Sequence, residues 1–123
     1  MSDKYIDLAP KEFDARIILV YLNAMDTKLV KAEIEYDNVK NQVQECFDFV
    51  VSEKMHNDSL SVSLAKVKAT NDDRYMKVKK LFSDAKALYL FAKVQAKNAH
   101  SYCDNLKQQS INQLAIDKLT LKH

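Results

Sequence analysis

The sequence predicts an all-α protein: a long antiparallel helical hairpin with a short intervening helix, coiled-coil-like packing and self-association. Three observations carry this. Across 123 residues there is no glycine and one proline, which argues against hairpins and phosphate loops and for long helices with polar joints. The apolar residues Leu22, Met25, Leu29, Ala32, Tyr36, Val39, Val43, Cys46 and Val50 follow an unbroken alternation of three and four, the signature of a heptad seam. A second seam runs through Val78, Leu81, Ala85, Leu88, Ala92, Ala99, Tyr102 and Leu106, broken only by Gln95.

Taken in order, residues 1–9 read as a loosely ordered lead in one domain that spans 1–123. Pro10 suits the first turn of a helix, so the first long helix is expected from about 11 to 56. Phe13, Ile17, Val20 and Tyr21 form its opening stripe, and Asp26-Thr27 is a position where it can kink. His56-Asn57-Asp58-Ser59 is the first joint, since Asn, Asp and Ser favour turns and caps. Asp58 or Ser59 is the expected cap of a short helix from about 60 to 69, with Leu60, Leu64 and Val67 on one face. Thr70 or Asn71 is expected to cap the last helix, about 72 to 120, with Asp72 and Asp73 in its first turn facing the helix dipole.

Folding the two long helices together sets Ala85, Ala92 and Ala99 against larger residues, which lets the axes approach. A second apolar line, Phe82, Tyr89, Ala96 and Cys103, then needs cover. With Leu90, Phe91 and Val94 beside it, Phe82 and Tyr89 define the expected homo-oligomer interface, because a large exposed apolar patch marks an interaction surface. The segment from Phe13 to Tyr21 supplies part of that cover. The apolar residues Ile111, Leu114, Leu119 and Leu121 shift phase, so the tail is expected to fray or to pack on another subunit.

Composition excludes several activities. Without glycine there is no dinucleotide fingerprint, Walker loop or nucleophile elbow. His100 and Cys103 stand one helical turn apart, but no further ligands fall at metal-binding spacing, and the paired Glu-x-x-His motifs of di-iron bundles are missing. Glu33, Glu35 and Asp37 alternate, so a helix spreads them over different faces. No nucleophile, base and orienting partner can be assembled; a non-enzyme without cofactor or metal is expected. Cys46 and Cys103 read as reduced thiols inside helical apolar patterns, with a disulfide between the two long helices as the lesser alternative. The polar, acidic start lacks an apolar signal core, and the longest wholly apolar run, Ile17 to Leu22, is six residues. A cytoplasmic protein that makes no membrane contact is expected (in host cytoplasm if phage-encoded).

Charge is asymmetric. The net charge is +2, yet residues 1–65 carry seven Lys/Arg against twelve Asp/Glu, and residues 66–123 carry twelve against five. Either the acidic and basic helices neutralise each other, or the basic half meets a polyanion. Lys79, Lys86, Lys93, His100 and Lys107 lie seven apart and off the apolar seam. Arg74, Lys77, Lys79, Lys80, Lys86, Lys93, Lys97 and Lys107 are therefore the candidate nucleic-acid-binding residues, acting through counterion release along a phosphate backbone. Tyr75, beside Arg74, is the candidate to stack on a base; Tyr36, Tyr89 and Tyr102 read as core or interface.

The run Tyr21-Leu22-Asn23, then Ala32-Glu33-Ile34-Glu35, then Phe47-Asp48-Phe49, with Leu88-Tyr89-Leu90-Phe91 in the last helix, resembles the recombination-mediator family of T-even-type bacteriophages. The likeness is one of spacing and residue type over roughly residues 20 to 115. It implies a helical, ring-like homo-oligomer that binds single-stranded DNA and helps load a recombinase onto strands covered by a single-strand-binding protein. Recombinase and single-strand-binding protein are thus expected partners. The family clusters Lys and Arg before its aspartate-aromatic step; here Asn41, Gln42, Gln44 and Glu45 stand there and only Lys40 remains. The cations of the last helix are then the better DNA contacts. The rival expectation is a helical adaptor or phage-encoded inhibitor, its basic residues paired with the acidic first helix of a neighbour.

Overall fold

The computed structural model describes residues 9–121; the expected lead falls outside them for residues 1–8. The described chain is 88% helical, without strands. Three helices follow one another: α1, Ala15–Asn57; α2, Val62–Ala69; and α3, Asp73–Leu121. Two compact units are formed. Unit 1 joins Met1–Val30 with Phe91–His123, and unit 2 is Lys31–Leu90. Both long helices contribute to both units.

The helix boundaries are set by side-chain caps. α1 starts at Ala15 instead of 11, because Asp14 Oδ1 accepts from the backbone N–H of Arg16 (2.9 Å) and Ile17 (3.3 Å). That satisfies two otherwise orphaned donors, a stronger start signal than a proline preset. Pro10 lies before the helix and is buried. Asp26 and Thr27 do not interrupt α1.

At the first joint, Asp58 N–H donates to Lys54 O at 3.1 Å and Ser59 has φ of 53°. These residues therefore end α1 with a left-handed turn and do not start α2. Ser61 caps α2, accepting from Leu64 N–H at 3.4 Å. The buried face of α2 is Ala65 and Ala69, while Leu64 and Val67 stay exposed. Thr70 closes α2, its hydroxyl donating to Val67 O at 2.6 Å, so it is not free to open α3. Asp72 opens α3 by accepting from Arg74 N–H at 2.9 Å.

In unit 1, Tyr21, Met25, Ala99 and Cys103 form the core, with Ala9, Ile18 and Leu22 packed against it. Asp26 meets His100 and Lys28 meets Gln95, so the helix segments run antiparallel within this unit. In unit 2, Val50 and Val51 pack on Ala65 and Ala69. Tyr36 stacks between Phe82 (5.3 Å) and Tyr89 (5.2 Å), and Phe47 lies 5.1 Å from Tyr75. The segments are antiparallel here too.

All nine seam positions of α1 are buried or half-buried. On α3 the register differs from the expected one. The packed row is Val78, Phe82, Ala85, Tyr89, Ala92, Ala96, Ala99, Cys103 and Leu106. Leu81 (51%), Leu88 (64%) and Tyr102 (40%) are exposed instead. The two registers share Val78, Ala85, Ala92, Ala99 and Leu106. They differ in whether Gln95 or Ala96 enters the seam, and burying the amide is the costlier choice.

Candidate nucleic-acid interface

Arg74 is held by carboxylates. Its Nη1 donates to Glu53 Oε2 at 2.9 Å and its Nε to Asp72 Oδ1 at 3.1 Å, while Lys54 Nζ lies 3.4 Å from Asp72 Oδ2. Hydrogen bonding by Arg74 holds the carboxyls of Asp72 and Glu53 below their ordinary range, and the guanidinium is correspondingly harder to deprotonate. Arg74 is thus a structural link from α1 to the start of α3, with its charge already compensated. Its guanidinium carbon also lies 5.9 Å from the ring of Phe49.

Tyr75 is half-buried against Phe47, with Lys79 Nζ 5.5 Å from its ring centroid. The expected stacking residue is thus engaged by Phe47 within unit 2. Proximity in sequence to Arg74 carried no information about which way the ring turns.

The remaining cations are open. In unit 2, Lys77, Lys79, Lys80 and Lys86 are exposed; in unit 1, Lys93, Lys97 and Lys107 are exposed. None of these seven makes an ion pair with a carboxylate among the described residues. At 100° per residue, Lys79 and Lys86 lie on one flank of α3's packed row in unit 2, Lys77 falls on the other flank and Lys80 on the face opposite the row; in unit 1, Lys93 and Lys107 lie on one flank of the row. His100, which shares the heptad spacing, is engaged by Asp26 at 3.0 Å in unit 1.

Of the expected oligomer-interface residues, Phe82 and Tyr89 are half-buried against Tyr36 inside unit 2. Leu90, Phe91 and Val94 remain exposed, at 48%, 56% and 56%. Phe91 carries Lys28 Nζ 5.4 Å from its centroid.

Burial, followed by the nearby Asp104 carboxylate, raises the pKa of the Cys103 thiol, and Cys46 is half-buried; both are unbridged. Among the described residues no group of three His, Cys, Asp or Glu side chains is placed to hold a metal ion, and no helix is long and apolar enough to cross a membrane.

No protein-family model matches this chain, and neither a curated protein nor a solved structure matches it.

Proposed function

We propose that the protein is a non-catalytic accessory that binds single-stranded nucleic acid without sequence preference and acts as a recombination mediator of the phage type. The observation that supports this reading is the set of seven exposed lysines without carboxylate partners among the described residues. A solvated helix face ordinarily intersperses both signs; α3 carries six of its first seven charges after Asp73 as cations, Arg74 to Lys93, with Asp84 the exception. Lys79 and Lys86 of unit 2 and Lys93, Lys97 and Lys107 of unit 1 supply the phosphate contacts, and Arg74 leaves the set. Self-association through Leu90, Phe91 and Val94 multiplies the contacts along one strand. The role in loading a recombinase onto protein-covered strands comes from the family resemblance alone.

The test is fluorescence anisotropy of a labelled strand of about 40 nucleotides at roughly 50 and 200 mM salt, with a duplex control. Tight binding that prefers the single strand and weakens at least about tenfold over that range is expected. Replacing Lys79, Lys86 and Lys93 with Glu is expected to abolish binding and leave the assembly unchanged by light scattering. Unaltered affinity in that variant rejects the assignment. The lysines would then serve the rival role, pairing with the acidic α1 of a neighbouring copy in a helical adaptor.

A further inference from the structure

Unit 2 has an apolar line that its own packing leaves uncovered. Arg74, Leu81 and Leu88 stand seven apart on α3, so they share one flank of its packed row, opposite to the flank of Lys79 and Lys86. The Arg74 guanidinium carbon lies 5.9 Å from the ring of Phe49 on α1, which carries the line across the seam. Phe49, Leu81 and Leu88 are each more than half exposed. α2 packs elsewhere, on Val50 and Val51 with Phe47 alongside. From Arg74 to Leu88 the line runs about 21 Å along the helix.

Two charges border this line. Lys77 comes four residues before Leu81 and Asp84 three after it, so both stand on the side of Leu81 that faces away from the packed row. Neither makes an ion pair among the described residues. The arrangement is its own complement. A second α3 laid antiparallel along this flank, with a two-fold axis at Leu81, sets Leu81 against the partner's Leu81. The same register sets Lys77 opposite the partner's Asp84, and Asp84 opposite the partner's Lys77. Leu88 then comes level with the partner's Arg74, where the exposed ring of Phe49 stands. One axis matches every charge and every large apolar side chain of the line, which is the condition for an isologous contact.

We infer that Phe49, Lys77, Leu81, Asp84 and Leu88 form a two-fold dimer interface in unit 2, and that its occupant is the same strip of a second copy of this chain. A surface shaped for a different protein has no reason to be its own inverse in both charge and apolar spacing. The interface is separate from Leu90, Phe91 and Val94. It lies on the flank away from Lys79 and Lys86, so pairing doubles those lysines without covering them. The inference goes beyond the single-strand reading and does not depend on it.

Sedimentation equilibrium of the full chain tests this, with circular dichroism as the check that each variant keeps its helices. Lys77→Glu and Asp84→Lys each set like charges opposite one another twice per dimer, and each is expected to raise the dimer Kd about tenfold. Mixed in equal amounts, the two variants bring opposite charges together at both contacts. The mixture, like a chain carrying both substitutions, is expected to recover the affinity of the parent. A parent that stays monomeric at every concentration overturns the interface. Single variants that associate as the parent does also overturn it and move self-association to Leu90, Phe91 and Val94. Weakened variants that fail to recover on mixing overturn the two-fold register. No nucleic acid enters these measurements, so the lysine assignment stands or falls separately.

Discussion

Units 1 and 2 draw on the same two long helices but fill their seams differently. Unit 2 packs rings and branched side chains: Tyr36 between Phe82 and Tyr89, Phe47 on Tyr75, and Val50 and Val51 under α2. Unit 1 packs small side chains, Ala99 and Cys103 on α3, against Tyr21 and Met25. Unit 2 has ten basic and ten acidic residues, and it compensates Arg74 with Asp72 and Glu53. Unit 1 has nine basic and seven acidic residues, with an open groove beside its seam. A heptad pattern sets which face is buried; the sizes chosen for it decide whether the neighbouring flanks are covered or left as surface. Unit 2 packs five of its rings on one another and leaves Phe49 exposed, whereas unit 1 leaves Phe91 and Tyr102 exposed.

The sharpest test of that contrast is to disturb each seam in turn. Val50 is fully buried, so Val50→Asp places a carboxylate where no partner exists and is expected to cost about 4 kcal/mol. Ala99→Leu overpacks the close approach in unit 1 and is expected to cost about 2 kcal/mol. Urea denaturation followed by circular dichroism measures both. An Ala99→Leu chain as stable as the parent would mean that unit 1 is loosely packed and the contrast false.

Acid distinguishes the units next. Asp72 and Glu53 are held below their ordinary carboxyl values in the fold. Their contribution is therefore present above the unfolded carboxyl pKa of about 4 and is lost as pH falls through the depressed folded values. Thermal midpoints recorded from about pH 5 down to 2.5 are expected to fall, and Arg74→Ala is expected to flatten that slope. An unchanged slope would show that Arg74 does not anchor unit 2.

The smallest effect belongs to Tyr102→Phe, which keeps the ring and removes one hydrogen bond to Pro10. It is expected to cost about 1 kcal/mol. Faster labelling of Cys103 by a thiol reagent, with Cys46 replaced by Ser, reads the same loss locally. No change in rate would mean that Pro10 is held by packing alone.

Much of this architecture is legible in the residues. The α1 seam is unambiguous because all nine positions are apolar and the neighbouring rows carry charge. The α3 seam is not, since Leu81 and Leu88 compete with Phe82 and Tyr89 for the same partner. Gln95 was the signal that decides it: a polar residue interrupts one register and nothing interrupts the other. The Arg74 clamp was illegible for a different reason. Its partner Glu53 lies 21 residues away, and no local pattern announces a contact across two joints. The exposure of Tyr102 was hidden by the register itself, because on paper it belonged to the packed row.

The Tyr102–Pro10 hydrogen bond joins residues 92 apart, whereas Arg74 and Glu53 are separated by 21. Closing the longer loop from an open chain costs about 1.3 kcal/mol more in entropy. Once α2 has brought the neighbouring parts of α1 and α3 together, most of that cost has already been met. Assembly should then proceed as a zipper that starts at the α2 joints and runs outward, with the contacts around Pro10 made last. On a ribosome the same order holds. Unit 2 is complete when Leu90 emerges, but Tyr21 and Met25 must wait for Ala99 and Cys103, so the N-terminal apolar residues spend most of synthesis without the partners they will finally bury against.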